Sequence, residues 1–476
     1  MSGHDKIAQC DIGLIGLGVM GSNFVLNMAD HGFTVAGYNR KGDKIKQLAE
    51  MKSAHHKIET TQDIQGFYRM LRKPRAIILL VPAGPPVDAV IASLLPHLEA
   101  GDLIIDSGNS HFTDTDRRAK SLEAKGLLFI GMGISGGESG ARHGPSLMPG
   151  GSEQGYERVK PILEAAAAQV GAMPCVAYLG PGSAGHYVKM VHNGIEYGVM
   201  QLISETYDLM NRGLGMAPAE LHTVFARWNQ EELNSYLIEI TADIFLQKDD
   251  QTGKPLIDLI LDEAKQKGTG EWTVGEALNL QVPAFTLGAA VMMRDMSTDK
   301  SQREKAGRIL KGPSPNFEGE RDEIVHQIKS ALHAAMIITY AQGLALLAKA
   351  SDTYHYKLNP ETVAQIWRGG CIIRAALLEE IRSAYKLNPA LENILFDGHL
   401  GRSVMAGEKD LRQVVRTGAA LGLPMPGLMT ALAYFDALRS GWLPANLIMA
   451  QRDYFGAHTY ERADQEGTFH AQWGKR

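Results

Sequence analysis

Cysteine is almost missing from this chain: Cys10, Cys175 and Cys371 are the only three in 476 residues, and no two form a CxxC pair. That excludes a disulfide framework and a cysteine zinc site, and it fits a reducing cytoplasm with each thiol a small buried hydrophobe. Charge of either sign is equally short of excess. The 48 Lys+Arg against 53 Asp+Glu leave −5, which gives no general reason to expect nucleic acid as a partner. Clean apolar runs are lacking too. Residues 1–18 carry His4, Asp5, Lys6 and Asp11, too interrupted for a secretory core. The most apolar later stretch, residues 331–348, contains His333, Thr339, Tyr340 and Gln342 and is expected to be a buried core helix, so no membrane association is expected. No compact set of His, Asp and Glu has metal-ligand spacing, and no metal is expected. What remains, 45% hydrophobic and 21% charged, is an ordinary globular composition with the length of two or three domains.

The first third alternates strand-like and helical segments. Residues 11–15, 33–38, 76–81, 103–106 and 127–130 read as strands with helical stretches between them, which implies an α/β doubly wound, Rossmann-type sheet. After Gly182-Ser183-Ala184-Gly185 helical periodicity takes over through about residue 438, with breaks at 213–218, 248–255, 311–315 and 357–360. Asn359-Pro360-Glu361 reads as N-cap, first helical proline and acidic first turn. A short internal echo links Pro218 through Trp228 with Pro360 through Arg368, each after a long helix, and hints at a duplicated helical unit. From Gly441 the chain becomes a tail with Trp442, Tyr454, Phe455, Tyr460, Phe469 and Trp473. It is too short for a core of its own and too aromatic for disorder, so it is expected to dock on another surface. The expected division is therefore 1–182, a dinucleotide-binding domain; 183–440, an all-helical domain; and 441–476, a docking tail.

Gly16-Leu17-Gly18-Val19-Met20-Gly21 is a full GxGxxG between a strand and a helix. Its glycines permit the tight turn, the approach of a pyrophosphate and close packing of helix on strand. At the end of the second strand, where an NAD-binding site places an acid for the ribose 2′-hydroxyl, stands Asn39-Arg40-Lys41. Arg40 can pair bidentately with a 2′-phosphate that a carboxylate would repel, and NADP is the cofactor expected. The competing reading of these three residues is a solvated basic turn.

Residues 182–197 carry the chemistry. If they are helical, Lys189, His192, Asn193, Glu196 and Tyr197 share one arc, while Val188, Val191, Ile195, Val199 and Leu202 form another that can anchor in a core. Lys189 and Glu196 stand two turns apart, about 10.5 Å along the axis, and their long side chains can converge on a small substrate. A neutral lysine can accept a hydroxyl proton and a protonated glutamic acid can deliver one. The bland alternative is an exposed ion pair, with His192 a satisfied core residue. Ser135-Gly136-Gly137-Glu138-Ser139-Gly140, after a strand, and Lys267-Gly268-Thr269-Gly270 offer anion-binding loops, or merely loops.

At these residues the chain resembles the decarboxylating 6-phosphogluconate dehydrogenases of the pentose phosphate pathway, over nearly its whole length. The resemblance is carried by residues 30–35, 144–151, 185–197, Arg368-Gly369-Gly370-Cys371-Ile372-Ile373-Arg374, and 451–458. It implies a Rossmann-type domain, a large all-α domain, and a homodimer whose tail threads into the partner subunit. It implies Lys189 as general base and Glu196 as general acid. Ser135, Gly136, Gly137, His192 and Asn193 would contact the sugar acid, with Tyr197, Lys267, Thr269 and Arg294 around its phosphate. Arg452 and His458 would arrive from the second subunit. Val81, Pro82, Ala83 and Asn109 would lie beside NADP, with Asn109 reaching the substrate as well. Pro82 and Glu271 stand where the family commonly has lysine, and Ser107 where it commonly has glycine. An oxidation of another sugar acid without loss of CO2, and a nucleotide-binding regulatory protein, are the competing readings of function.

Overall fold

The structure, a computed structural model, describes residues 9–313 and 316–474. His4, Asp5 and Lys6, and the Ser314 and Pro315 end of the break expected at 311–315, lie outside the described residues.

Short apolar runs closed by glycine, proline or polar turns form the strands. In chain order the first elements are β1 (Ile12–Ile15), α1 (Val19–Asp30), β2 (Val35–Tyr38), α2 (Gly42–Met51), β3 (Ile58–Thr61), α3 (Ile64–Met70) and β4 (Ala76–Leu79). They continue with α4 (Pro85–Leu94), β5 (Leu103–Asp106), α5 (Phe112–Glu123), β6 (Leu128–Ser135), α6 (Gly137–His143), β7 (Ser146–Gly151) and α7 (Glu153–Ala166). The sheet order is β3-β2-β1-β4-β5-β6-β7. β1 to β6 pair in parallel, and β7 runs antiparallel to β6. Leu14 lies between Gly37 and Ile78, and β1, β4 and β5 are buried along their whole length, as expected of strands covered on both faces. The winding reverses between β1 and β4, which opens a crevice at their carboxyl ends.

Two strands of this sheet lie where the sequence reading has none. β3, Ile-Glu-Thr-Thr, is an edge strand with little apolar content, and β7 contains Pro149 and two glycines. Edge pairing, β3 to β2 and β7 to β6, supplies the hydrogen bonds that intrinsic preference does not, and an edge tolerates proline.

Helices dominate from Ala184. They are α8 (Ala184–Asp208), α9 (Pro218–Trp228), α10 (Tyr236–Ile244), α11 (Thr269–Asn279), α12 (Phe285–Ser297) and α13 (Lys300–Ile309). α14 (Arg321–Tyr354), α15 (Pro360–Trp367), α16 (Leu377–Leu387), α17 (Leu400–Ala420), α18 (Pro426–Leu438) and α19 (Ala445–Gly456) follow. α14 is long and apolar enough to cross a membrane, yet 83% of its apolar window is buried inside the protein. Asn359 caps α15 by accepting from the Glu361 and Thr362 amides. The internal echo has a structural counterpart: α8 and α14 are each followed by a proline-initiated helix ending on a fully buried tryptophan, Trp228 or Trp367.

Missing side chains let α8 lie on the sheet edge. A Cβ on Gly133 of β6 would collide with the stem of Lys189, and one on Gly185 with the carbonyls of Gly131 and Met148. Val188, Val191, Ile195, Val199 and Leu202 are buried and anchor the helix, as their spacing predicts.

By compactness, one unit runs through Ala431 and a second begins at Leu432. The second unit is organised around a polar residue. Asp453 is fully enclosed and accepts from the Thr459 and Ala471 amides, His470 Nδ1 and Trp473 Nε1 at 2.7–3.0 Å. Burial pushes this carboxyl up, but these hydrogen bonds outweigh it and hold it well below the usual carboxylate range.

Candidate active site

The crevice beside β1 has the shape of a phosphate cradle. Gly16 takes φ +106°, and a Cβ there would collide with the Leu80 carbonyl, while one on Gly21 would collide with the carbonyl of Gly16. Beside Gly18 there is open space. Gly18 is also the N-cap of α1 and offers no side-chain cap, so no cap side chain takes up the first-turn amides, an arrangement suited to binding an anion. Asn39 ties this loop to the basic turn: its Oδ1 accepts from Leu17 N at 3.2 Å and its Nδ2 donates to the Lys41 carbonyl at 3.0 Å. Arg40 and Lys41 are exposed beyond it. Val81, Pro82 and Ala83 follow β4 on the other side of Gly16, with Pro82 exposed. Asn109 projects from a loop that the buried Asp106 carboxylate shapes, accepting from Gly108 N, Ser110 Oγ and Arg118 Nη1. A dinucleotide fits these residues.

The arc predicted on α8 is one cluster. Lys189, only 7% exposed, donates from Nζ to Asn193 Oδ1 at 2.7 Å. His192 is fully buried, and its Nδ1 stands 3.5 Å from Lys189 Nζ and 3.7 Å from Glu196 Oε2. The other ring nitrogen lies 3.2 Å from Ser135 Oγ at the end of β6. Asn193 Nδ2 donates to Thr269 Oγ1 at 3.1 Å, joining the start of α11 to the cluster. Burial pulls the Lys189 amine down against the opposing fields of Glu196 and Cys371. Burial, with the Lys189 charge, drives His192 well below its usual range. Burial likewise raises Glu196 against the pull of Lys189 and Arg294. Both end groups are thereby moved toward their neutral forms, the forms in which an amine is a base and a carboxyl an acid.

The loop after β6 closes on a segment that the periodicity does not single out. Gly136, at φ +121°, has no room for a Cβ because the Gly370 carbonyl lies against it. That carbonyl accepts from Ser146 N at 2.9 Å, and Ile372 N donates to Ser135 Oγ at 3.4 Å. Trp367 meets the His192 ring edge-on at 5.6 Å. Paired glycines flanked by two arginines, Arg368 to Arg374, are the only sequence signal of this role. Gly137 opens toward free space.

On the far side of Glu196, the Arg294 guanidinium lies 3.6 Å above the Tyr197 ring. Lys267 is exposed on the turn before α11, and Glu271 is exposed in its first turn. Arg452 and His458 belong to the second unit. There Arg452 is exposed, and the His458 ring lies edge-on to Phe455 at 5.8 Å. Among the described residues, one group of metal-ligand type, Asp30, His55 and His56, assembles only in the fold. Its atoms are already engaged: His56 Nε2 lies 2.6 Å from Asp30 Oδ1, His56 Nδ1 accepts from Ser53 N, and Arg142 holds the other Asp30 oxygen.

Residues 11–180 match the family model described as the NAD binding domain of 6-phosphogluconate dehydrogenase, and residues 185–473 match that of its C-terminal domain. A Bacillus subtilis (strain 168) protein named 6-phosphogluconate dehydrogenase, NADP(+)-dependent, decarboxylating, is 52% identical over 471 residues, covering 98% of this chain and 100% of its own. A decarboxylating 6-phosphogluconate dehydrogenase of Synechococcus elongatus is 52% identical over 470 residues, with 98% and 100% covered. A solved structure of Plasmodium falciparum 6-phosphogluconate dehydrogenase, described as apo, with its cofactor NADP+ and with its substrate 6-phosphogluconate, superposes with a TM-score of 0.95 at 45% identity. It covers 98% of this chain and 100% of that one.

Proposed function

The chain belongs to the 6-phosphogluconate dehydrogenase family, and from that premise we propose that it oxidises and decarboxylates 6-phospho-D-gluconate to D-ribulose 5-phosphate and CO2 with NADP⁺, Lys189 acting as base and Glu196 as acid without a metal. The observation that carries the assignment of roles is the buried set Lys189, His192, Asn193 and Glu196 meeting Ser135 beside a dinucleotide crevice.

The Gly16–Gly21 turn and the first amides of α1 would hold the NADP pyrophosphate, and Arg40 its 2′-phosphate. When bound, NADP⁺ supplies the hydride acceptor. Lys189, neutral, takes the proton of the C3 hydroxyl as that carbon is oxidised to a ketone. A carboxylate β to the ketone leaves as CO2 as its electrons flow into the carbonyl. The lysine ammonium stabilises the resulting enediolate oxygen, a task otherwise suited to a metal. Glu196 then protonates C1 of the enediol. Over one turnover the substrate gives one proton to Lys189 and takes one from Glu196, so no proton is released. His192 Nδ1, within 3.7 Å of both groups, lies on the route that resets the pair. Ser135, Gly136 and Gly137 would line the sugar acid, and Tyr197, Lys267, Thr269 and Arg294 its phosphate. These remote contacts position the reacting carbon.

The second unit supports a homodimer that exchanges tails. Leu447, Ile448, Tyr454 and Phe455 on α19 are each more than half exposed, an apolar surface suited to a protein partner. Arg452 and His458 would enter the partner's site from there.

An assay with 6-phosphogluconate, following NADPH absorbance and released CO2 together, tests this reading; reduction without CO2 would refute it. Arg40→Glu is expected to raise the KM for NADP by roughly 100-fold and to leave that for NAD within a few-fold, because only the former loses a charge-assisted bidentate pair. Equal losses would detach the cofactor choice from this residue. Glu196→Gln is expected to lower kcat by about 10²–10⁴-fold. Its pH profile follows from the paired groups. With both protonated Lys189 is no base, and with both deprotonated Glu196 is no acid, so the wild-type profile is a bell belonging to the pair. The glutamine variant keeps the acid limb and loses the alkaline limb; a profile retaining both limbs would assign the acid to another group.

A further inference from the structure

A cleft of about 410 Å3 lies away from the cluster on α8, between the first turn of α10 and the start of α16, and falls in the size range of small-molecule sites. Arg374 lines it, with its guanidinium 3.6 Å above the Tyr236 ring and its Nη1 donating to the Cys371 carbonyl at 2.7 Å. Among the described residues no carboxylate pairs with Arg374. Its neighbour differs: Arg368 pairs with Glu379, and Glu379 also accepts from Arg382 at 2.6–3.2 Å, so that carboxylate is saturated. One uncapped helix N-terminus opens on the same space: α16 follows Ala376, an N-cap that offers no side-chain bond, whereas Ser235 caps α10 by accepting from Ile238 N and Tyr236 N donates to the Arg374 carbonyl at 3.0 Å. A guanidinium with no carboxylate partner, fixed on an aromatic ring beside the uncapped end of α16, is a setting for negative charge.

We propose that this cleft binds a small oxyanion, a carboxylate or phosphate of metabolite size, and that its occupancy tightens the hold on the sugar acid. Residues 370–374 connect the two places. Gly370 and Ile372 bond to Ser146 and Ser135, and Ser135 bonds to His192, while Arg374 at the other end faces the cleft. An anion that fixes Arg374 also fixes Cys371 and the turn segment that supports the Ser135 loop. This coupling, unlike the binding itself, rests on reading that loop as the substrate loop.

The test is calorimetric titration of the full chain with malonate and, separately, with inorganic phosphate, with 6-phosphogluconate held at saturation to fill the catalytic anion site. At least one probe is expected to bind saturably, and the tighter of the two identifies the oxyanion class. Arg374→Met is expected to weaken that binding roughly tenfold or more. Glu239→Gln, which removes an exposed carboxylate from the rim, is expected to tighten it. No saturable binding, equal binding in Arg374→Met, or weaker binding in Glu239→Gln overturns the site. If Arg374→Met does not fold, Glu239→Gln decides alone: tighter binding supports the site, and unchanged or weaker binding overturns it. In steady-state assays the bound probe is expected to lower the KM for 6-phosphogluconate several-fold in the wild type and not in Arg374→Met. Binding without that shift keeps the site and overturns the coupling.

Discussion

Lys189→Met is expected to reduce turnover by about 10⁴-fold or more while leaving NADPH affinity within a few-fold of wild type. Methionine fills nearly the same volume on the same helix, so the stem contact with Gly133 persists. What disappears is the amine, the proposed base, with its contacts to Asn193 Oδ1 and His192. The nucleotide residues stand on α1 and at the end of β2, so the loss does not reach them. Stability provides a second readout whose sign follows from burial. The folded-state pKa of Lys189 lies below the ordinary 10.5, so the unfolded chain binds more protons between those two values. Wild-type stability therefore gains from this residue as pH rises through that window, and the buried charge is a cost below it. Relative to wild type, the methionine variant should be stabilised most at the low-pH side, by calorimetric melting across pH. A variant that melts lower at every pH, or that loses NADPH binding, would make the lysine a structural residue.

The parts of this molecule legible in its sequence are those governed by local chemistry. Glycine spacing at Gly16, Gly18 and Gly21 encodes a turn and a close approach, and the fold uses both. A helical period placed Lys189, His192, Asn193 and Glu196 together because they lie on one element, where sequence distance fixes spatial distance. β3 and β7 were not legible, since their pairing partners rather than their own residues make them strands. Nor was the contact of Gly370 with Gly136, which joins positions more than two hundred residues apart. Its length and composition give the tail no core of its own. It does lack an apolar one, and it folds instead around the buried carboxylate of Asp453, which sequence shows only as one acid among many.

Ending the chain at Ala450 is expected to abolish activity at every protein concentration, and mixing should restore it. The deletion removes Arg452 and His458 along with Asp453, so the second unit loses both its proposed site residues and the hub that organises it. The unit through Ala431 keeps its own buried core, and NADPH binding and helical content are expected to persist. If the tail served its own subunit, a mixture of this truncated chain with full-length Lys189→Met would stay inactive, because each chain carries one fatal defect. Exchange between subunits gives a different result. In a mixed dimer the truncated chain contributes an intact Lys189, and the full-length partner contributes the tail that completes that site. The other site in the same dimer has neither. Random pairing of equal amounts therefore restores about a quarter of the wild-type sites, and the recovery needs co-unfolding or subunit exchange to appear. Activity that fails to return after the chains are refolded together, with mixed dimers shown by native mass spectrometry, would place the tail in its own subunit and remove the proposed origin of Arg452 and His458.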